Sequence, residues 1–140
     1  MVILFLILIL FSAQVPIAPA EEAICVIVHE SVKTVVVSQQ QLLDIYTLNA
    51  QNWSDGKKIV VTDFKGEGAM RERFYTFIAI KPNDIKRIWL RKQFSGSGTP
   101  PLTVTSEEEM IEKILNKPGT IGYVSASKVP PGTRVLATIP

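Results

Sequence analysis

Cysteine and histidine are almost missing from these 140 residues, with Cys25 and His29 the sole members of their kinds. One cysteine cannot close an internal disulfide, so stability has to come from apolar packing. A chain of this length, 46% apolar, can supply one core and has no room for two ordinary domains. Cys25 sits in an apolar run and reads as a buried strand cysteine. The preceding Glu22-Ala23-Ile24 lacks the small side chains that normally come before a lipidated cysteine.

A single histidine, with no Cys, Asp or second His at ligand spacing, gives no basis for a metal site, and His29 is expected to be structural or at the surface. No nucleophile lies beside a base, no paired carboxylates occupy a defined scaffold, and no triad can be assigned through His29. The expectation is a protein that is not an enzyme and needs no cofactor.

A large excess of either charge is missing too, with 15 Lys and Arg against 13 Asp and Glu. The net charge of +2 is not a nucleic-acid footprint. Its distribution is uneven: Lys65, Arg71, Arg73, Lys81, Lys86, Arg87, Arg91 and Lys92 crowd the middle of the chain, and Glu107, Glu108, Glu109 and Glu112 follow. That asymmetry suits an anionic ligand or a solvated helical face.

The run from Val2 to Phe11 is shorter than the roughly 20 residues that cross a bilayer core. No Lys or Arg precedes it, so Met1's amine is its only positive group. Ala18-Pro19-Ala20 then gives an A-x-A pattern. Residues 1–20 are therefore expected to be a signal peptide cleaved near Ala20, leaving 21–140 as a periplasmic or secreted domain.

Along the rest of the chain, apolar β-branched residues predict a strand over about 24–29. Ser38 with Gln41 forms a capping box ahead of a helix whose Leu42, Ile45 and Tyr46 share a face. Asp55-Gly56 marks a turn, and "KIVVTDF" reads as a strand. A helix over about 67–78 has a stripe of Met70, Phe74, Phe77 and Ile78, with Arg71 and Glu72 off it. Pro82 starts a further helix with Ile85, Ile88 and Trp89 on one side.

"FSGSGTPPLTV" reads as loop. Ser106 with Glu109 makes a second capping box, and Pro118-Gly119 ends that helix. "TIGYVSA" and "TRVLATI" complete the strands. The alternation of strands and helices predicts an α/β layer with a mostly parallel sheet. Trp53, Trp89 and Tyr123 are expected in the core.

"DFKGEGAMRERFY", residues 63–75, has the outline of an anion site, with two glycines at the mouth of a helix and an arginine in its first turn. The candidate ligand residues are Gly66, Gly68, Ala69, Met70 and Arg71, with Ser31 beyond the first strand as either a contact or the start of a turn. Arg71 is open to two roles, contacting an anion or sitting as a solvated or capping partner of Glu67.

The order "VIVHES", "NWSDG" after a leucine-rich helix, "RERFY" at the front of the next, and "KPGTIGYV" resembles short exported proteins related to the phosphate-binding component of bacterial ABC importers. The resemblance covers about residues 24–126. It implies a single lobe of the type II periplasmic-binding-protein kind, with helices on both faces of the sheet. In the full-length phosphate binders a Gly-Ser-Gly-Thr at a helix start contacts phosphate through hydroxyls and backbone amides.

Here Glu67-Gly68-Ala69-Met70 stands in that place, or, shifted by one residue, Gly66 and Gly68 match the two glycines. Both hydroxyls are gone in either register. A carboxylate about 4 Å from an anion repels it by roughly 4 kcal/mol at an effective dielectric near 20. "GSGT" at 96–99 follows a helix and precedes Pro100-Pro101, so it reads as a C-terminal cap and loop, or as a segment folding back to offer Ser97 and Thr99 to a partner.

The resemblance implies oxyanion binding, phosphate above all, for ABC-type uptake or sensing with a membrane transporter or sensor as partner. The alternative is an interaction module whose ligand site has decayed. One lobe cannot close over a ligand, and a homodimer would restore the cleft.

Overall fold

The computed structural model describes residues 13–16 and 21–140; most of the expected signal segment lies outside them. The elements run β1 (Ile24–His29), α1 (Gln39–Tyr46), β2 (Val60–Phe64), α2 (Ala69–Phe77), α3 (Pro82–Phe94), β3 (Leu102–Val104), α4 (Glu107–Asn116), β4 (Thr120–Ser125) and β5 (Thr133–Ile139). A short 3₁₀ turn at Ala126–Lys128 links the last two strands.

The local signals act as their chemistry requires. At α1, Ser38 Oγ accepts from the Gln41 amide while the Gln41 side chain accepts from the Ser38 amide, so the capping box is complete. Pro82 opens α3 at a position where no amide is needed. At α4, Ser106 caps the Glu109 amide, but Glu109 Oε2 accepts from the Thr105 amide at 2.8 Å and not from Ser106. The second capping box is therefore displaced by one residue.

The sheet order is β3-β2-β4-β1-β5. β2 pairs parallel with β3 and β4, whereas β1 pairs antiparallel with both β4 and β5. The sheet is mixed, which corrects the expectation of a mostly parallel one. Strands separated by helices need not pair with each other, and β1 inserts between β4 and β5 running the other way. β3 lies within the segment read as loop.

Helices do cover both faces. On β1, Ile24, Val26 and Val28 pack with α1, α2 and α3, and Cys25 and Ile27 pack with Met110 and Ile114 of α4. This is the period-2 alternation of a strand buried on both sides. Gly122 on β4 permits the α4 contact, because a Cβ there would lie 2.5 Å from Thr62 Oγ1 and 2.9 Å from Ile114 Cδ1.

The larger core contains an aromatic cluster. Phe74 stacks on Tyr123 at 4.0 Å with 6° between planes, and Tyr46 meets Phe74 edge-on at 4.6 Å. Trp89 Nε1 donates to the Tyr46 carbonyl at 2.7 Å, and Trp53 Nε1 donates to the Gly119 carbonyl at 3.0 Å. Both tryptophans are core residues whose polar tips are satisfied.

Candidate functional site

β2 and β3 are parallel neighbours, yet the chain leaves them for opposite faces of the sheet: β2 leads to α2 and β3 leads to α4. Adjacent strand ends that diverge in this way open a crevice beyond their carboxyl termini. Two recesses lie there. A depression of about 710 Å³ is lined by the β2–α2 turn, Arg71, Glu72, Lys81, Lys86 and the Pro100-Pro101 segment. A smaller one of about 290 Å³ lies between the α2 start and Thr105, Ser106 and Glu107.

Gly66 is the turn residue that glycine alone suits, with φ +80 and open space around it. Gly68 is the N-cap of α2, in extended backbone that any residue adopts, and no side chain caps the helix. The first intrahelical bond runs from the Glu72 amide to the Gly68 carbonyl at 3.0 Å. The amides of Ala69, Met70 and Arg71 thus precede the helical ladder, at the positive end of its dipole.

Beneath this helix start is a buried polar cluster built on Asp63, which is 1% exposed. Its Oδ2 accepts from Arg71 Nε at 3.1 Å and from the Tyr75 hydroxyl at 2.8 Å, and its Oδ1 accepts from the Tyr123 hydroxyl at 2.7 Å. Arg71 also stacks over the Tyr75 ring, 4.8 Å from its centroid. Burial, the largest single influence, works against the Arg71 charge, but Asp63 together with Tyr75 and Tyr123 raises the pKa on balance. Burial, and after it the Asp63 charge, pushes the Tyr75 and Tyr123 hydroxyls well above the ordinary tyrosine range.

Gly66, Gly68, Ala69, Met70 and Arg71 are therefore together at one mouth, with Met70 half-buried against the larger core. Arg71 lines both recesses with its Nε held by Asp63, and it makes no ion pair with Glu67. Ser31 stands apart. β1 is antiparallel to β4, and Val28 pairs with Ile121, so the chain after β1 emerges at the end of the sheet opposite the crevice. There Ser31 sits in a turn, with its amide donating to His29 Nδ1 at 3.0 Å and its hydroxyl 2.7 Å from the same atom.

The charges around the larger depression nearly cancel. Lys65, Arg71, Lys81 and Lys86 face Asp63, Glu67 and Glu72, four cations against three acids. The segment at 96–99 caps α3: the Gly96 amide donates to the Gln93 carbonyl and the Ser97 amide to that of Lys92, with Gly96 at φ +69. Among the described residues no group of three or more His, Cys, Asp or Glu is placed to hold a metal, and no helix is long and apolar enough to cross a membrane.

Asp63 and Tyr75 were not among the candidates from sequence. A carboxylate inside the apolar strand Val60–Phe64 was the available signal, since a buried acid needs donors. Arg71 and Tyr75, four apart on the next helix, are placed to supply them.

No family model matches the chain, and no curated protein matches it. Solved structures do. A phosphate ABC transporter substrate-binding protein from Clostridium perfringens, with bound phosphate, superposes with a TM-score of 0.69 at 18% identity, covering 82% of this chain and 44% of that one. An ABC-type phosphate transport receptor from Vibrio cholerae gives 0.65 at 16%, covering 82% and 45%. PstS from Borrelia burgdorferi gives 0.64 at 18%, covering 83% and 47%. The chain shares the fold of these substrate-binding proteins and spans less than half their length.

Proposed function

We propose that this chain is an exported substrate-binding-type lobe that takes phosphate or a similar oxyanion at the β2–α2 mouth, for an ABC-type uptake or sensing partner. The observation that carries the reading is the α2 N-terminus, free of any side-chain cap, opening into a crevice at the carboxyl ends of β2 and β3. The shared fold with proteins named for phosphate transport supports it. In this reading the amides of Ala69, Met70 and Arg71 seat the anion and Lys65 adds charge from the turn. Arg71 acts through Asp63 by fixing the helix start.

A second reading follows from a specific observation. Arg71 Nε is tied to Asp63, and Glu67 and Glu72 line the larger recess against Lys65, Lys81 and Lys86, so the mouth offers an anion little net positive charge. The same lobe would then serve as an interaction module without a small ligand. Thermal unfolding with phosphate, sulfate, molybdate and chloride at matched ionic strength separates the two. A ligand at about 100 times its Kd stabilises by about 2.7 kcal/mol, a rise in Tm of about 10 °C for a domain of this size. A rise with one oxyanion that shrinks in Lys65→Ala supports capture. Identical curves in all four salts would leave the interaction module as the standing account.

A further inference from the structure

β3 does not cover the whole edge of β2. The Val60 amide donates to the Gly119 carbonyl at 3.1 Å, so Val60 and Thr62 turn their backbone groups toward β4. Ile59, Val61 and Asp63 alternate with them and turn toward β3, as does Lys65, whose amide donates to the Val104 carbonyl at 2.8 Å. The β3 ladder begins at the Thr62–Leu102 pair. The next partner back along it would be Pro100, which has no amide to offer the Ile59 carbonyl. The Ile59 amide is taken by the Gln51 carbonyl at 2.9 Å, but among the described residues neither the Ile59 carbonyl nor the Val61 amide has a hydrogen-bond partner.

These two groups lie at a cavity of about 150 Å³ between the segments around Ala50 and Pro100. Leu48, Ile59 and Val61, each at most 7% exposed, line it together with Pro100 and Leu102. Its walls are tied to each other, because Gln51 Nε2 donates to the Leu48 carbonyl at 3.0 Å and to the Ser97 carbonyl at 2.7 Å. Lys58 and Lys117 also line the cavity, and no Asp or Glu does. Among the described residues neither lysine belongs to an ion pair. The β2–α2 mouth is different, since acids there face the cations.

We propose that this notch binds the C-terminal residue of a peptide, aliphatic and with a free carboxylate, as a short antiparallel strand beside β2. The open carbonyl and amide flank Val60. An antiparallel neighbour bridges such a pair with the amide of one residue and the carbonyl two residues before it. The last amide of the peptide donates to the Ile59 carbonyl, and the earlier carbonyl accepts from the Val61 amide.

The last side chain then lies opposite Ile59, on the face that Ile59 and Val61 share, in a space that holds a group of about six carbons. The antiparallel direction carries the carboxylate toward Lys58, which immediately precedes Ile59, and toward Lys117 at the same end of the sheet. A parallel strand would bring the peptide's amino end there, against two cations. The notch shares only Pro100 with the larger depression at the mouth, so this inference is independent of the oxyanion reading.

Acetyl-Gly-Leu with a free carboxylate is the smallest probe that carries all of these groups. At ordinary ligand efficiency it should bind with a Kd on the order of 1 mM and move the Val61 amide resonance as it is titrated. Its C-terminal amide should bind about tenfold more weakly, and the form methylated at the leucine nitrogen about fivefold more weakly. Lys58→Gln/Lys117→Gln should bind the acid and the amide alike, because the preference for charge leaves with the lysines. Both lysines are exposed, and an unchanged Tm shows that the variant is folded. No movement of the Val61 resonance up to about 20 mM probe would overturn the proposal. So would equal binding of acid, amide and methylated forms to the native chain, or a preference for the acid that survives in the double variant.

Discussion

The Arg71 guanidinium lies 3.1 Å from the Asp63 carboxylate, joining the first turn of α2 to the carboxyl end of β2 beneath the candidate mouth. The pair is not a surface bridge: Asp63 is buried and Arg71 is 14% exposed at its side chain. Two tyrosine hydroxyls complete the acid's coordination. Removing one partner of such a cluster leaves the others desolvated and unpaired, typically at about 3–5 kcal/mol. Asp63→Ala should therefore lower urea-unfolding stability by roughly that amount. The double variant Asp63→Asn/Arg71→Met should lose less than the sum of its single changes. Additive losses would show that the groups act separately.

This cluster also marks the boundary of what the sequence made legible. Local chemistry was readable: β1 ends where the apolar run ends, α1 begins at its capping box, and α3 begins at Pro82. The direction of β1 was not, because helix-separated strands carry no local signal of which neighbour they will join. β3 is three residues long with Leu102 and Thr103 exposed, too short and too polar in pattern to stand out from its loop. At the site, Gly66 to Arg71 could be placed from spacing. The tie from Arg71 to Asp63 depends on how β2 and α2 pack, which the sequence only hints at through a charged residue in an apolar strand.

Gly122 makes a sharper test of the packing on the second face. A methyl group there would meet Thr62 Oγ1 and Ile114 Cδ1, both inside ordinary contact distance. Gly122→Ala should lower stability by about 1–3 kcal/mol, the usual range for overpacking. Gly66→Ala meets no neighbour and should lose only the cost of its positive φ, about 1 kcal/mol. Denaturant melts of the two variants side by side measure the difference. A Gly66→Ala loss exceeding that of Gly122→Ala would contradict the packing described.

All three tyrosines of the chain, Tyr46, Tyr75 and Tyr123, are buried, and burial first, then the Asp63 charge, raises each hydroxyl pKa. The neutral form is favoured by the fold, so the associated stability is fully present below the unfolded value near 10 and declines as pH rises above it. Each tyrosine contributes a loss of about 1.4 kcal/mol per pH unit in that window. Tyrosinate absorbance should stay flat through about pH 10 and then appear in one step coincident with unfolding by circular dichroism. Gradual ionisation of even one tyrosine while the protein stays folded would show that its hydroxyl reaches solvent.

Glu67 bears most directly on whether the mouth holds an anion. It is exposed in the turn between β2 and α2 and lines both recesses. Exposure means its charge is screened by water, so at about 4 Å it opposes a bound oxyanion by about 1 kcal/mol and not the several expected in a closed cleft. Glu67→Gln keeps the side chain's size and removes the charge. Titration calorimetry with phosphate at low salt should give a Kd about fivefold lower for this variant. The gain should fade as added salt screens the carboxylate. A Kd unchanged at low salt would place the anion away from the α2 N-terminus, since no seat on those amides lies beyond the field of Glu67.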